Sequence, residues 1–561
     1  MKVFGTVDTF IEGASRDLRL GRFVANATFM RALLEHSGFD AFHLFCPSTS
    51  HRRHLERILR QEMPGIIERR GIAFSTHLEV PKALGTTRYA AFHVGGWGLF
   101  LPRLAYVRQA VDGPSFPLTG VTHSLHTADI FPKMREVVAA PFDEGDAIVC
   151  TTEAGRQVMR NHYAEAVRRH VARGFPPPPS PLHLARIPLG VDERCFALPD
   201  RAACRQELGL GSEQTCLLYI GRLSPQTKAD LVPLLYTFAR LRRRGPACEA
   251  AVLVLAGGGE PDTQEALVAA VRELGLADQV RVVSNVSDEA KLKLLAAADV
   301  FVSPVDNHQE TFGLSIVEAM AAGLPVVASD FDGYRELIVE AKTGFRIPTY
   351  GGRLPEAVAR MVGVLDPNLT GFFMAQTVAV DVGALLQALE RLVLAPELRQ
   401  RLGQAGRRRA EAEYRWPALI AAYESLWAEL ASAKNGRAAS GGQRSGAGEA
   451  GDPYLGDLHA IFGHYATANL EPQDRFRGTE LLAEVLAGRV PVPAVYQDLD
   501  QVVDAELGSF LLNFIAGAGS PTMATCTQAA RDKRGADPSV AAFQLTWLLK
   551  QGLIERLSPE D

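Results

Sequence analysis

Twelve short apolar runs, separated by stretches with helical patterns, punctuate the first 350 residues of this 561-residue chain. Short continuous apolar runs are typical of strands that are covered on both faces, and the intervening segments are long enough for crossover helices. The runs fall into two groups of six, which predicts two doubly wound α/β domains instead of one large sheet. The predicted strands are residues 2–7, 41–46, 89–94, 118–122, 147–151 and 185–189, then 215–220, 251–256, 280–284, 300–303, 325–329 and 344–348.

Composition suggests where these domains begin and end. Residues 433–452 are rich in Gly, Ser and Ala, as flexible linkers are. We therefore predict one Rossmann-like domain over residues 1–198, a second over 199–416, and a mainly helical domain over 453–561. The apolar pattern near the end of that last domain, at residues 547–556, is similar to the helix and wing entry of winged-helix modules, which is weak grounds for a function.

Charge and cysteine content exclude several classes of protein. The chain is 47% hydrophobic and 22% charged, which is ordinary for globular proteins and excludes global disorder. A net charge of −5 argues against coating nucleic acid, so we expect no nucleic-acid partner. The seven cysteines form no C-x-x-C pair, and no apolar run reaches the ~18 residues of a membrane helix. We expect a cytoplasmic protein, either free or in peripheral contact with the inner face of the membrane.

Residues 303–326 include two glutamates in an unusual setting. The pattern predicts a helix that Thr311 caps and that Gly323 ends in the left-handed conformation. Glu318 lies among apolar residues of this helix, where an unpaired buried carboxylate would cost several kcal/mol. Either Glu318 faces water, or it accepts hydrogen bonds from the hydroxyls of a ligand. Glu310 lies eight residues earlier, which corresponds to about 12 Å along a helix axis.

The start of the same helix predicts an anion site. The amides of Phe312, Gly313 and Leu314 would lie at the helix N-terminus, where anions bind, and Gly313 would permit close approach. Arg222 and Lys228 follow an earlier predicted strand, in the loop at its carboxyl end. Two cations there can neutralise a diphosphate and stabilise it as a leaving group, although such a string alone is usually a solvated loop. Together these groups outline a nucleotide-sugar site.

With these motifs the chain resembles the retaining glycosyltransferases of family 4, also described as glycosyl transferases group 1, which have the GT-B fold. The resemblance covers residues 1–430 and implies two Rossmann-like domains that face a cleft, closed by a helix at 417–430 that crosses back onto the first domain. The motifs that carry it are Glu310 with Glu318, Gly221-Arg222-Leu223 with Lys228, Ala256-Gly257-Gly258-Gly259, Ile187-Pro188-Leu189-Gly190-Val191-Asp192, Asp332-Gly333-Tyr334-Arg335-Glu336 and Tyr414-Arg415-Trp416.

The resemblance also implies roles for individual residues. Arg222 and Lys228 would bind the donor diphosphate, Glu318 the ribose, and Glu310 the transferred sugar. In the first domain, His123 matches the active-site histidine of the family, and His126 is a weaker second choice. Further donor contacts implied by the resemblance are Gly21, Gly257, Gly258, Phe312, Gly313 and Leu314. Only Gly21 stands where the family usually has a glycine pair, so the first loop departs from the family pattern.

The activity that the resemblance implies is transfer of a sugar from a nucleotide-diphosphate donor to an acceptor hydroxyl, with retention of anomeric configuration. The acceptor would be a carbohydrate, a lipid-linked molecule or a small molecule, in the synthesis of envelope polysaccharide, glycolipid or natural-product glycosides. No metal and no cofactor is implied. The D-x-D strings at 330–332 and 498–500 are interpreted as capping or surface acids. The segment 453–561 would dock a protein partner or the acceptor.

Two other functions fit a GT-B chain. One is another GT-B enzyme, such as a sugar-nucleotide epimerase or a phosphorylase; the latter needs a Schiff-base lysine, and nothing in the sequence singles one out. The other is a non-catalytic binding protein that recruits partners through residues 453–561. An enzyme is favoured by the joint presence of Arg222, Lys228, Glu310, Glu318 and His123.

Overall fold

The computed structural model describes residues 1–8, 10–11, 21–111, 113–178, 182–439, 461, 463–491 and 498–557. The chain divides into two compact units. The first comprises Met1–Phe45, Arg57–Phe74 and Pro81–Gly446, and the second comprises Cys46–Glu56, Ser75–Val80 and Ala447–Asp561. Within the described ranges, no helix combines the length and the apolarity that crossing a bilayer requires.

The first sheet has seven strands in the order β3-β2-β1-β4-β5-β6-β7, and the pairs from β2 to β7 are parallel. All six predicted strands are present, and β3 is an additional edge strand. Only its two end residues, Ile72 and Thr76, are buried, and its last two residues are polar, so no continuous apolar run marked it. The strands are β1 Val3–Thr6, β2 Ala41–Cys46, β3 Ile72–Thr76, β4 Tyr89–Val94, β5 Leu118–Val121, β6 Asp146–Cys150 and β7 His183–Arg186.

The second sheet has six parallel strands in the order β10-β9-β8-β11-β12-β13. In both sheets the strand order reverses once, between β1 and β4 and between β8 and β11, as in doubly wound folds. A small antiparallel pair, β14 with β15, was not predicted. The strands are β8 Cys216–Ile220, β9 Val252–Gly257, β10 Val280–Ser284, β11 Val300–Ser303, β12 Val326–Ser329, β13 Gly344–Ile347, β14 Thr349–Gly351 and β15 Val378–Val380.

Helices cover these sheets, and we call the seven-stranded sheet with its helices the N-lobe and the six-stranded sheet with its helices the C-lobe. The helices of the N-lobe sequence are α1 Gly21–His36, α2 Thr49–Glu62, α3 Ile66–Arg70, α4 Val80–Thr86, α5 Leu101–Ala110, α6 Ile130–Ala139 and α7 Glu153–Val171. Those that follow are α8 Arg201–Glu207, α9 Val232–Leu241, α10 Pro246–Glu249, α11 Pro261–Glu273, α12 Asp288–Ala297, α13 Leu314–Ala321, α14 Tyr334–Leu337, α15 Glu356–Met361, α16 Pro367–Ala375, α17 Val382–Leu394, α18 Pro396–Glu413 and α19 Trp416–Ala439.

Helix α19 follows the C-lobe in the sequence and contacts the N-lobe. The indole of Trp427 donates a hydrogen bond to the Thr119 hydroxyl of β5 at 2.9 Å. The Lys434 ammonium, only 3% exposed, lies 3.2 Å from the Asp146 carboxylate, which also pairs with Arg108 at 2.6 Å. The helix continues to Ala439, past residue 433 where a flexible linker was predicted to begin. The rest of that predicted linker, 440–452, lies outside the described residues.

From residue 463 onward, the described part of the second unit contains four α-helices and a two-stranded antiparallel sheet. Its core includes Phe476, Leu511, Ile515 and Leu545, all buried. Within this unit the Thr49 amide donates to the Asp498 carboxylate at 2.8 Å. The likeness to winged-helix modules stays a prediction. The elements are β16 Phe476–Gly478, α20 Glu480–Leu486, α21 Ala505–Ala518, α22 Met523–Arg534, α23 Pro538–Lys550 and β17 Ile554–Arg556.

Candidate active site

The candidate site lies where the strand order of the C-lobe reverses. Strands β8 and β11 are parallel neighbours, so the loops that follow them leave the same edge of the sheet. The loop after β8 carries Arg222 and Lys228, and the loop after β11 carries Glu310. In open α/β sheets the crevice at such a reversal is where ligands bind. The fold thus puts these predicted site residues on adjacent loops.

Lys228 and Glu310 form an ion pair between the two loops, with side chains only 12% and 15% exposed. Burial acts to raise the pKa of Glu310, but the Lys228 ammonium outweighs it, so the pKa of this carboxyl is lowered and the group is ionised. The Tyr334 hydroxyl donates to Glu310 Oε2 at 3.5 Å, and Lys228 Nζ lies 5.9 Å from the centroid of the Tyr334 ring. Tyr334 therefore contacts both charges of the pair.

Arg222 is held inside the same pair of loops. Its guanidinium donates to the Thr227 carbonyl at 2.7 Å. In the orientation of the Gln309 amide that satisfies its neighbours, Gln309 accepts from Arg222 at 3.0 and 2.8 Å and donates to Thr227 at 2.9 Å. Burial lowers the pKa of Arg222, although attraction to Glu310 opposes that shift. Two cations and one carboxylate therefore lie together, partly buried, on these two loops, with positive charge in excess.

Asn307 joins these loops and was missed at the sequence level. Its side chain is fully buried, and its Nδ2 donates to the carbonyls of Pro225 and Gln226 at 3.1 and 2.9 Å. Its Oδ1 accepts a hydrogen bond from the backbone amide of Gln309 at 3.0 Å. An asparagine in a loop usually serves a local turn, so no sequence pattern distinguishes one that ties two loops together.

Helix α13 begins at Leu314 with Gly313 as its N-cap residue, so the prediction that Thr311 caps the helix is wrong. Gly313 has φ 105°, in the left-handed region, and a Cβ there would lie 2.4 Å from Cε1 of Tyr334. Both the backbone conformation and the space thus require glycine. The Phe312 amide donates to Glu310 Oε1 at 3.4 Å, so that predicted anion-binding amide already faces a carboxylate of the chain itself.

Glu318 is buried, with 6% exposure, so the alternative in which it faces water is wrong. The Lys291 ammonium of α12 lies 2.5 Å from its Oε1. Burial acts to lower the pKa of Lys291, but Glu318 outweighs it and raises the pKa of the ammonium. The carboxylate is therefore neutralised by a partner from another helix, which the sequence pattern did not indicate. A role in holding the ribose stays a prediction.

The glycines after β9 have a structural reason beside the predicted donor contact. Gly257 has φ 153°, and a Cβ there would lie 1.8 Å from the Gly221 carbonyl oxygen. The Gly258 carbonyl accepts from the Leu223 amide at 2.7 Å. These glycines allow the turn after β9 to pack against the turn that carries Arg222.

In the N-lobe, His123 follows β5 and is fixed by its Nε2 atom. That nitrogen lies 2.6 Å from the Gly95 carbonyl oxygen and 3.1 Å from the Asn26 side-chain oxygen. Both neighbours are acceptors, so Nε2 carries the proton and Nδ1 has the free lone pair. Burial lowers the pKa of His123 to about 4, which keeps the ring neutral. Gly21 is the first residue of α1, and residues 12–20 before it lie outside the described residues.

His126 is near a histidine of the C-lobe that the sequence analysis did not single out, His308. Burial, together with the His308 and Arg222 charges, lowers the pKa of His126 to about 4. Among the described residues, Nδ1 of each of these histidines is buried without a hydrogen-bond partner.

The first D-x-D string, at 330–332, was interpreted as capping or surface acids, and Asp332 does not fit that interpretation. Its φ is 46°, and burial raises its pKa to about 8, with the Glu310 carboxylate adding to the shift. Asp330 does lie near the surface, 3.4 Å from the Arg346 guanidinium. Across the part of the chain that the structure describes, no three His, Cys, Asp or Glu side chains are grouped so that they could hold a metal ion.

Solved structures identify the class of fold. Sucrose-phosphate synthase from Thermosynechococcus elongatus superimposes with a TM-score of 0.52 at 18% identity, covering 77% of this chain and 100% of its own. HepE from Anabaena in complex with UDP superimposes with a TM-score of 0.51 at 16% identity, covering 76% of this chain and 100% of its own. With its two Rossmann-like sheets, the chain has the GT-B fold of glycosyltransferases.

Sequence comparisons point to one part of that fold. Residues 200–363 match the family described as Glycosyl transferases group 1. A D-inositol 3-phosphate glycosyltransferase from Kineococcus radiotolerans is 32% identical over 237 residues, which cover 40% of this chain and 52% of the relative. A D-inositol 3-phosphate glycosyltransferase from Geodermatophilus obscurus is 28% identical over 333 residues, which cover 55% of this chain and 62% of the relative. The chain spans about half the length of the curated relatives it matches.

Proposed function

We propose that this chain transfers a sugar from a nucleotide-diphosphate donor to an acceptor hydroxyl, with retention of anomeric configuration. The observation that carries the proposal is the meeting of Arg222, Lys228 and Glu310 at the strand reversal of the C-lobe. The match to glycosyl transferases group 1 and relatives named as glycosyltransferases support it.

In this proposal the two cations bind the donor diphosphate. Arg222 is already oriented by Thr227 and Gln309, so little side-chain order remains to be imposed when a diphosphate arrives. Lys228 would then be shared between Glu310 and a phosphate oxygen. Because the site is partly buried, charge stabilisation of the leaving group there is stronger than in water.

The acids and the histidine would position the sugar nucleotide. Glu318 would accept from ribose hydroxyls while Lys291 neutralises its charge, and Glu310 would lie beside the transferred sugar. Neutral His123, with its proton on Nε2, would accept a hydroxyl hydrogen bond at Nδ1. Gly313 and Leu314 would offer backbone N–H groups to the phosphate or the sugar.

The bond changes are those that the resemblance implies. The acceptor oxygen forms a bond to the anomeric carbon on the face that the diphosphate leaves. The bond from that carbon to the phosphate oxygen breaks, and the departing oxygen takes the acceptor proton. The products are a glycoside and a nucleoside diphosphate. Independence of metals and cofactors, a carbohydrate, lipid-linked or small-molecule acceptor, and partner docking through 453–561 belong to the same proposal.

The test is incubation with a panel of nucleotide sugars, with release of nucleoside diphosphate as the signal. UDP-sugars come first, because the Anabaena neighbour binds UDP. Release with one donor, and an anomeric proton in the product with the configuration of the donor by NMR, is the expected result. An epimerised nucleotide sugar without release would indicate the epimerase, and binding without turnover would indicate a non-catalytic protein.

A further inference from the structure

Helix α14 faces two parts of the molecule at once. Its first residue, Tyr334, is buried, and the Tyr334 hydroxyl contacts Ser303 at 3.1 Å and Glu310 at 3.5 Å. Its third residue, Glu336, reaches the N-lobe. One short helix of the C-lobe therefore contacts both the candidate site and the other lobe.

The carboxylate of Glu336 lies at the N-terminus of the 19-residue helix α7. It accepts from the amides of Glu153 and Ala154, each at 2.9 Å. The first amides of a helix have no partner within the helix, and a negative charge there is favoured by the helix dipole. Arg186 of β7 adds a second attraction at 3.4 Å, with 46% of its side chain exposed. Glu336 of the C-lobe thus accepts hydrogen bonds from two amides that have no acceptor within helix α7.

A second contact lies next to the first. The Thr152 hydroxyl, from the residue that caps α7, donates to the Thr311 carbonyl at 2.8 Å. Thr311 directly follows Glu310 in the chain. Gly333 permits this approach, because a Cβ there would lie 2.4 Å from the Thr311 oxygen and 2.8 Å from Cγ2 of Thr152.

We propose that Glu336 is a positioning residue that docks the C-lobe on the N-terminus of α7 and thereby holds Tyr334 and the segment 310–313 in place. The expected effect on catalysis rests on the proposed function, whereas the docking itself does not depend on it. Loss of the Glu336 carboxylate frees the two α7 amides, separates the lobes, and loosens the segment that carries Glu310.

The first test measures the docking without any substrate. All seven native cysteines are buried, so labels can be placed on Asn161→Cys in α7 and Ala266→Cys in α11, both exposed in the native chain. Interlobe distances are then compared by double electron–electron resonance in the native background, Glu336→Ala and Glu336→Gln. Glu356→Gln is the matched control, because its carboxylate is 78% exposed and pairs with Arg360 of its own helix.

We expect longer and broader distances in Glu336→Ala, a smaller change in Glu336→Gln, which keeps one carbonyl acceptor, and none in the control. Hydrogen exchange of the peptide 307–317 should rise in the same order. Transfer should fall about 5- to 30-fold in Glu336→Ala, the range that one or two kcal/mol of lost contact gives. Circular dichroism checks that each variant is folded.

Distances and exchange in Glu336→Ala that match the native protein would overturn the proposal, whatever its activity. Separated lobes with unchanged exchange at 307–317 would also overturn it, because docking would then not hold the segment. If the native chain transfers no sugar, the proposed function fails, while these two measurements still decide the docking. If Glu336→Ala is unfolded, the distances and exchange of Glu336→Gln decide in the same way.

Discussion

The Lys228 ammonium and the Glu310 carboxylate are partners across 82 residues of sequence. Each comes from a different loop at the strand reversal, and each is mostly buried. Neither charge could be buried alone without a large desolvation cost, so the pair also holds the two loops together. The candidate site is therefore partly assembled before any donor arrives.

Replacing Lys228 with Ala should abolish both sugar transfer and donor hydrolysis. Because the change leaves Glu310 buried without its partner, we also expect a loss of about 3–5 kcal/mol in the free energy of unfolding. Urea unfolding and nucleotide release measure the two effects. Lys293→Ala is the control, since Lys293 pairs with a carboxylate that is 59% exposed, and it should cost less than ~1 kcal/mol. Native-like turnover in Lys228→Ala would count against the site.

Replacing Glu318 with Ala should remove donor turnover and destabilise the chain, because Lys291 would be buried without a counter-charge. The double variant Glu318→Met with Lys291→Met replaces both charges with apolar side chains of similar size. No unpaired charge is then left buried. Stability should then recover to near the native value, as for other buried ion pairs, while donor binding stays lost. Recovery of nucleotide affinity in the double variant, measured by calorimetry, would show that Glu318 serves only Lys291.

Gly313 and Gly323 lie on either side of helix α13, and both have a left-handed backbone conformation, so their substitutions can be compared directly. Gly313→Ala meets both an unfavourable φ of 105° and the Tyr334 ring, whereas Gly323→Ala meets a φ of 79° with nothing within 4 Å. We expect about 1–2 kcal/mol of destabilisation from conformation alone at Gly323, and a larger loss together with loss of transfer at Gly313. Equal thermal shifts in the two variants would contradict the close approach of Tyr334 to the helix start.

The partly buried acid Asp332 should make stability depend on pH. Its pKa is raised from 3.8 to about 8, so between these values the folded chain holds a proton that the unfolded chain releases. Stability should therefore fall as the pH rises through this window, by at most about 1.4 kcal/mol per pH unit. Asp332→Asn should make that slope shallower. Urea midpoints with the same pH dependence in both proteins would refute the raised pKa.

The domain at 453–561 should be dispensable for chemistry. The predicted site residues all belong to the first unit of the chain. A chain that ends after residue 446 should therefore release nucleotide from its donor at a near-native rate. Loss of that activity, with a native-like circular dichroism spectrum, would assign the last domain to the catalytic body.

Most strands of the two sheets were predictable because they coincide with short apolar runs, as expected in sheets that are covered on both faces. The additional edge strand β3 was missed because only its end residues are buried and it ends in Ser75-Thr76, and β14 and β15 because each has only three residues. Within the site, charged residues placed after strands were predictable, since topology brings the carboxyl ends of neighbouring parallel strands together.

Partners across the fold could not be predicted in the same way. Lys291 is 27 residues from Glu318 on another helix, and Asn307 is 82 and 81 residues from the carbonyls it binds. Nothing in their local sequence differs from that of a surface lysine or a turn asparagine. Thr311 was expected to cap α13 from its residue type, but Gly313, two residues later and in the left-handed conformation, is the N-cap residue.

The claim on which the account depends is that Arg222 and Lys228 bind a diphosphate. Calorimetric titration with the nucleoside diphosphate that the donor panel identifies, and with its unphosphorylated nucleoside, tests it most directly. The account predicts tighter binding of the diphosphate by the native chain, and loss of that difference in Lys228→Ala. Equal affinity for both ligands in the native chain, or an undiminished preference in the variant, would contradict it.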